Sequence, residues 1–414
     1  MESLTKFLFS LWIVSLPFYS YSIFGSLSID NLLVPIVIVS IVLRELTSSL
    51  IYKNRLIVIL SLVFLFLVYS VSRLISVIDD VVYFNFTITL LGKQFIYLIL
   101  PLLYVRTINE WIYTGKLIIF IAVIGIFSTL VASMGLFEFN VQRYAMSRFG
   151  IEGLQKSIGL LSNYGDMAIL GSFSFLFMFV AKKNIKENLL GSLSKWSASV
   201  LILGGYLGAQ SRNMYLTLFV AGFMSLIIRQ FTDHKAKHSL LVFLILLVSL
   251  SSIIFTLTIF EINPLESAKS IGGTKEATAT VDARLGQYTF ALKLFSINPL
   301  FGNGISVLEA GIEVHNIWLA LLALCGLFGT VPILLIFIIN LLSLINIRTS
   351  NEYYNQIKVI GLSQICCMLV AAEFYGAMTY IFLMMTGFIY SLSSLLRQAV
   401  RCSPTTEKNS KIIL

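Results

Sequence analysis

The sequence predicts an all-α polytopic membrane protein, and three observations support this. Of its 414 residues, 57% are hydrophobic and only 12% are charged, whereas soluble domains carry about a quarter charged residues. Apolar runs long enough to cross a hydrocarbon core of about 30 Å recur along the chain. These runs lack the apolar-polar alternation of barrel strands, which favours helices as the spanning elements.

We predict about twelve transmembrane helices in a single domain, residues 1–401. The first run shows no convincing cleavage site, so we interpret it as a retained helix and not a signal peptide. The domain includes a large loop at 261–316, and the tail 402–414 is expected to be disordered. The predicted spans are approximately 7–24, 31–43, 56–74, 87–105, 117–135, 166–181, 196–210, 213–228, 239–260, 328–346, 359–377 and 379–396.

The distribution of charge predicts the orientation of these spans. One set of connections holds 19 of the 29 Lys and Arg residues but only seven of the 20 Asp and Glu residues. The positive-inside rule makes these connections cytoplasmic, together with both termini. Anionic lipid on that face accounts for the basic balance of the chain, so no nucleic-acid partner is implied.

The remaining basic residues fall in the outer loops or in the outer part of a span, where orientation alone would disfavour them. An anionic partner on the outer face would explain them. Two outer loops are long, about 136–165 and about 261–316, and long loops on a membrane scaffold often carry function. Arg143 and Arg148 lie in the first of these loops. Arg73, in "SVSRLIS", is interpreted as a residue that marks a helix end.

Lys93 and Arg212 are the two cations placed within or between spans. Lys93, in "TLLGKQFIYL", is expected roughly 9 Å inside its helix, where a cation costs on the order of 3 kcal/mol and usually faces a cavity or partner. The alternative is a side chain that snorkels to the interface. Arg212, in "GAQSRNMYL", has Gln210 among its polar neighbours. This stretch suggests a phosphate cradle, against the simpler reading of an interfacial helix end.

The loop 261–316 predicts a helix, a break and a half-helix. From Arg284 to Phe295, apolar residues recur at helical spacing, which indicates an amphipathic helix on the outer interface. "NPLFGNG" then supplies stop and turn signals. His315 and Asn316, in "EVHNIWL", would begin a short helix ended by Gly326 and Gly329. A histidine that merely caps this helix is the alternative reading.

These candidates suggest the chemistry of a diphosphate leaving group. Lys93, Arg212 and Arg284 could stabilise the departing charge in place of a metal ion, and His315 could act as general base on a sugar hydroxyl. The outer loops show no carboxylate cluster with metal-ligand spacing, and the four cysteines show none either. We therefore predict neither a metal nor an organic cofactor.

The segments "AQSRNMYL", "ARLGQYTFALKLFSINPLFGNG" and "VHNIWLALLALCGLFG", in this order, resemble the O-antigen ligase and O-antigen polymerase superfamily. The resemblance covers about residues 145–330 and implies a metal-independent glycosyltransferase with a GT-C-like fold. It implies an undecaprenyl-diphosphate-linked oligosaccharide as donor, at the periplasmic face of a bacterial inner membrane. By the same resemblance His315 matches the catalytic histidine, Arg212 and Arg284 match the diphosphate-contacting arginines, and Lys93 matches an early basic residue.

Two reactions within this superfamily stay open. A polymerase joins lipid-linked repeat units, with a chain-length regulator in the same membrane as a possible partner, whereas a ligase transfers the glycan to lipid A-core. The basic loop at 136–165 suggests a second diphosphate-bearing substrate and favours the polymerase. A lipid-linked sugar transporter is a less favoured alternative, since it predicts charges at the bilayer midplane. A noncatalytic scaffold is another, and it would not require His315.

Overall fold

The computed structural model describes residues 2–18, 22–24, 27–47, 53–136, 159–161, 163–180, 192–209, 211–232, 275–310, 314–349, 351–372 and 378–401. These ranges form thirteen α-helices and one short antiparallel strand pair, β1 (Ser22–Phe24) with β2 (Leu27–Ser28). The helices are α1 (Glu2–Ser15), α2 (Ile29–Thr47), α3 (Lys53–Ile75), α4 (Val81–Tyr104), α5 (Ile108–Ser133), α6 (Tyr164–Phe175), α7 (Ser192–Ala209), α8 (Arg212–Thr232), α9 (Lys275–Ile297), α10 (Gly304–Ala310), α11 (Ile317–Ile345), α12 (Glu352–Ala372) and α13 (Tyr380–Arg401).

The helical, multi-pass character predicted from the sequence is confirmed. In the described part of the chain, six helices are long and apolar enough to cross a membrane: α3, α4, α5, α11, α12 and α13. The total of twelve spans stays a prediction, because the predicted span 239–260 lies outside the described residues. The predicted first span, 7–24, is wrong in its second half. Its helix ends at Ser15, and a 3-10 turn containing Pro17 leads into the strand pair.

Helix α13 forms the centre of the bundle. It is buried on nearly all sides from Ile381 to Leu396. Gly387 allows it to approach α4, because a Cβ at this position would collide with the Leu98 carbonyl. On another side the Trp111 ring of α5 stacks on Phe388, with ring centroids 5.0 Å apart. Because α4 and α13 run in the same direction, their N-terminal halves face the same end of the bundle. We call it the α3–α4 end, after the turn at residues 76–80.

Helix α11 folds back on itself at Gly326. The glycine has φ 60° and ψ −159°, and these angles separate a first arm, residues 317–325, from a second arm, residues 327–345. The rings of Trp318 and Phe337 lie 6.1 Å apart, although a straight helix would separate these residues by about 28 Å. The first arm therefore lies alongside the second. The half-helix predicted to begin near His315 and to end at Gly326 is confirmed.

The turn at residues 298–303 holds this fold-back in place. Gly302 has φ 73°, and a Cβ on it would lie 2.6 Å from the Cys325 nitrogen. The turn also supplies hydrogen-bond partners that the broken helix lacks, since Leu327 N donates to Pro299 O (2.9 Å) and Asn303 N donates to Ala323 O (2.8 Å). Buried backbone groups need such partners. We call this contact the Gly302–Gly326 junction.

The junction is fixed to the α3–α4 end of the bundle by α3. The Ser72 hydroxyl donates to Cys325 O at 2.7 Å, and Gly304 lies against Ser76 and Val77. From this point the second arm runs toward the opposite end of the bundle. The first arm runs beside it, so residue 315 lies deeper in the bundle than Gly326 does. The fold-back thus places the start of α11 inside the bundle, below the surface at this end.

The depth predicted for Lys93 is wrong. Helix α4 begins at Val81, six residues before the predicted start, because the Asp80 carboxylate accepts hydrogen bonds from Val82 N and Tyr83 N and caps the helix. Lys93 is therefore twelve residues beyond the first residue of α4, or about 18 Å along its axis. It lies in the middle of this helix, not near its end.

We expect Gly326→Ala to destabilise the protein. A non-glycine residue at this φ is strained by about 1–3 kcal/mol, and the new Cβ would lie against the Leu300 carbonyl. Gly92→Ala in α4 is the matched control, because a Cβ there meets nothing within 4 Å and alanine favours a helix by about 1 kcal/mol. Thermal unfolding of the detergent-purified variants measures both effects. Equal unfolding temperatures for the two variants would contradict the account of the junction.

Candidate functional site

His315 lies between α10 and α11 and is held through its backbone by α9. Its N–H donates to Gln287 Oε1 at 3.5 Å, and its carbonyl accepts from the Tyr288 hydroxyl at 3.4 Å. Within the described residues no hydrogen bond engages the imidazole, and the side chain is partly exposed. The structure therefore positions the backbone of His315 while its ring stays available for a reacting group.

Asn316, not His315, is the N-cap of α11. Its side-chain oxygen accepts a hydrogen bond from Leu319 N at 3.0 Å, and the residue is only 7% exposed. An N-cap side chain satisfies one of the free N–H groups of the first helical turn. This role accounts for the Asn316 oxygen without a ligand. The helix-capping role that the sequence suggested as an alternative for His315 therefore belongs to Asn316.

The arm that carries His315 packs against α9 and α10 in a small cluster separate from the main core. The buried members of this cluster are Ala291, Leu294, Val307, Val314, Ala320 and Ala323. On the other side of the same arm, Ile317 and Leu321 belong to the main core of the bundle. The first arm is thus packed between α9 and the membrane helices. Burial on both sides restricts the position from which His315 projects.

Lys93 is half-buried on α4, next to a set of buried polar groups. It interacts electrostatically with Asp30, which also accepts a hydrogen bond from the Tyr97 hydroxyl. Gln94 accepts from Tyr69 Oη and donates to Met378 O, both at 3.4 Å. Among the described residues, no carboxylate lies within 4 Å of the Lys93 ammonium. A cation in the middle of a membrane helix, with no ion pair within 4 Å in the described residues, is a functional candidate.

Two buried carboxylates that sequence reasoning missed lie near the start of α13. Asp30, in the first turn of α2, is 1% exposed, and Asp166, in the first turn of α6, is fully buried. Asp166 accepts a hydrogen bond from Thr379. In the residues searched, no group of three His, Cys, Asp or Glu side chains could hold a metal ion. The expectation of a metal-free reaction stays a prediction.

A series of aromatic contacts connects the His315 arm with the region of Lys93. Trp318 contacts Phe337, whose ring lies 5.8 Å from Phe382 near the start of α13. Two residues earlier, the Tyr380 ring stacks on Tyr97 at 4.6 Å. Tyr97 is one helical turn from Lys93. The beginning of α11 and the middle of α4 therefore lie at a similar level of the bundle, on either side of α13.

The structure gives the backbone positions of Arg212 and Arg284, while their side chains lie outside its described part. Arg212 is the first residue of α8 and follows buried Ser211. It lies at the α3–α4 end, since the end of α7 packs against the end of α5 through Gly208. Arg284 precedes Gln287 and Tyr288 by three and four residues, so its Cα lies on the face of α9 that contacts His315. Gln210, Arg143 and Arg148 lie outside the described residues.

One part of the chain matches a known family. Residues 197–334 match the model of the O-antigen ligase family, and comparison with curated proteins finds no match. The matched region includes Arg212, Arg284 and His315, together with the Gly302–Gly326 junction. Lys93 lies outside it. The match confirms the predicted resemblance to the O-antigen polymerase and ligase superfamily over this third of the chain, and it supports an enzymatic role in general.

We expect Asn316→Ala to lower the free energy of unfolding by about 1 kcal/mol, because the N-cap of α11 is lost. Asn316→Ser should stay close to the unsubstituted protein, since serine also caps a helix. Thermal unfolding in detergent separates the two variants. Equal losses of stability in both would indicate that the amide has a role other than capping.

Proposed function

We propose that the protein is a polymerase of O-antigen or of a related surface polysaccharide. It would transfer a glycan from undecaprenyl diphosphate to a lipid-linked repeat unit at the periplasmic face of the bacterial inner membrane. The match of residues 197–334 to the O-antigen ligase family supports the class of reaction. The single observation that carries the proposal is the placement of His315, whose backbone is held by α9 and whose ring makes no hydrogen bond among the described residues.

In the proposed reaction, the acceptor hydroxyl oxygen attacks the anomeric carbon of the donor sugar. The bond from this carbon to the diphosphate oxygen breaks, and its electron pair leaves with the diphosphate. The proton of the hydroxyl passes to the His315 imidazole, and general-base catalysis of this kind contributes about 10²–10⁴ in rate. No metal is required if cations receive the developing charge.

Lys93, Arg212 and Arg284 are the proposed source of this positive charge. A hydrogen bond from a charged donor contributes about 1.5–3 kcal/mol, so three donors would stabilise a departing diphosphate substantially. Support for their grouping comes from the backbone positions: Arg212 begins α8 at the α3–α4 end, and Arg284 shares a helix face with Gln287. Lys93 lies at a similar level to the beginning of α11. Arg143 and Arg148 would contact the second lipid-linked substrate.

The second candidate is an O-antigen ligase that transfers the finished glycan to lipid A-core. The matching family, O-antigen ligase, favours this reading. The basic loop with Arg143 and Arg148 favours the polymerase, because a lipid-linked acceptor brings a diphosphate of its own. The mid-helix position of Lys93 is a feature that a transporter would share, but the matched family supports an enzyme.

Deletion of the gene in its native host separates the two reactions on a lipopolysaccharide gel. We expect lipopolysaccharide that carries core plus a single repeat unit, which is the phenotype of a missing polymerase. Core without any repeat unit would exclude the polymerase and favour the ligase or a lipid-linked sugar transporter. An unchanged ladder would contradict both enzyme proposals and favour a noncatalytic scaffold role.

We expect His315→Ala to give the same gel pattern as the deletion, with normal amounts of protein in the membrane. His238→Ala is the matched control, since it removes an imidazole from the basic segment "HKAKH", which supplies none of the proposed site residues. This control should restore the ladder on complementation. A full ladder from His315→Ala would rule out the proposed role of the imidazole, whichever reaction the protein performs.

A further inference from the structure

Arg73 is a buried cation that the proposed reaction does not yet use. It lies in the last turn of α3 and is only 4% exposed. The sequence suggested a residue that marks a helix end and contacts the interface. The structure instead covers it with the Gly302–Gly326 junction, to which α3 is joined through Ser72. Removing an arginine side chain from water carries a large free-energy penalty unless the charge is paired.

Among the residues that the structure describes, Arg73 has no such pairing. Its Nη1 atom is buried and has no hydrogen-bond partner. In the part of the chain that the structure describes, no carboxylate lies within 4 Å of this guanidinium. The negative ends of helix dipoles are close, but a dipole compensates only a small part of the desolvation penalty. The described residues therefore leave the charge of Arg73 largely uncompensated.

Buried cations at the opposite end of the bundle are compensated. Arg44 donates to Glu110 and to Tyr104 O, and Arg55 donates to Leu103 O. The ammonium of Lys358, which is 7% exposed, donates to Ile345 O at 3.0 Å and to Ile347 O at 2.7 Å. The fold thus supplies partners to these three cations and not to Arg73. This difference among the described residues supports an external anion as the partner of Arg73.

Arg73 lies between the two parts of the candidate site, the His315 arm and the Lys93 region of α4. Its guanidinium lies near the side chain of Cys325, the last residue of the His315 arm. It also lies near Tyr69, whose hydroxyl contacts Gln94, the neighbour of Lys93. Both hydrogen bonds of Gln94 measure 3.4 Å, longer than the usual 2.7–3.2 Å. An anion with stronger acceptor oxygens could displace such contacts.

We propose that Arg73 binds a phosphate group of the lipid-linked diphosphate, between the His315 arm and the Lys93 region of α4. This inference rests on the proposed function, since it assigns a further cation to the same site. The diphosphate oxygens provide the negative charge that the described residues around Arg73 do not. Unlike Arg212 and Arg284, Arg73 lies outside the region that matches the O-antigen ligase family.

Binding of farnesyl diphosphate to the detergent-purified full-length protein tests this assignment. We expect Arg73→Gln to weaken the affinity about tenfold or more, because one charge-assisted hydrogen bond is lost. Lys358→Gln is the matched control: it removes a buried cation at the opposite end and should leave the affinity unchanged. Isothermal titration calorimetry measures both affinities.

Thermal unfolding of the same variants without ligand gives an independent readout. Removing the unpaired charge of Arg73 should leave the unfolding temperature unchanged or raise it, whereas Lys358→Gln should lower it because its carbonyl partners lose their donor. A less stable or unfolded Arg73→Gln protein would overturn the proposal and assign Arg73 a structural role. Full affinity in Arg73→Gln would overturn it as well.

These results separate the inference from the proposed function. Arg73-dependent binding together with a full ladder from His315→Ala would reject the proposed catalysis and retain the phosphate site. A ladder lost in His315→Ala, with farnesyl diphosphate bound equally by Arg73→Gln and the unsubstituted protein, would retain the catalysis and reject the phosphate site.

Discussion

The reversal of α11 at Gly326 is the constraint on which the candidate site depends. Two glycines with positive φ, Gly302 and Gly326, allow two backbone segments to approach too closely for any other residue. Hydrogen bonds from the turn to the broken helix compensate the loss of helical pairing. As a result the first arm of α11 lies within the bundle, and it brings His315 toward the level of Lys93. A straight helix would carry the histidine away from the membrane helices.

The electrostatic organisation of the molecule differs between its two ends. At the α4–α5 turn, Arg44, Arg55 and Arg106 share Glu45 and Glu110. Arg44 and Arg55 also donate to carbonyl groups at the end of α4. At the α3–α4 end, Arg73 has no carboxylate within 4 Å in the described residues. Lys93, in the middle of α4, has none within 4 Å either, although Asp30 interacts with it electrostatically. Uncompensated buried charge is expensive, and functional sites commonly carry such local instability. This asymmetry places the proposed anion site at one end.

Local signals in the sequence predicted much of this arrangement, and long-range contacts explain the errors. The break at "NPLFGNG" and the end of the short helix at Gly326 follow from glycine and proline chemistry, and both were predicted correctly. The direction of the reversal depends on contacts with Leu300 and Pro299, which periodicity does not reveal. The depth of Lys93 was wrong because the Asp80 cap was overlooked. Arg73 was taken as interfacial because its burial depends on α11, far away in the sequence.

The reversal of α11 is tested most directly by a distance between its two arms. Spin labels at positions 315 and 338, in a variant without the native cysteines, report this distance by double electron–electron resonance. The account predicts a separation under about 25 Å, since the arms lie side by side at the Trp318–Phe337 contact. A separation near 35 Å, the length of a straight helix between these positions, would contradict it.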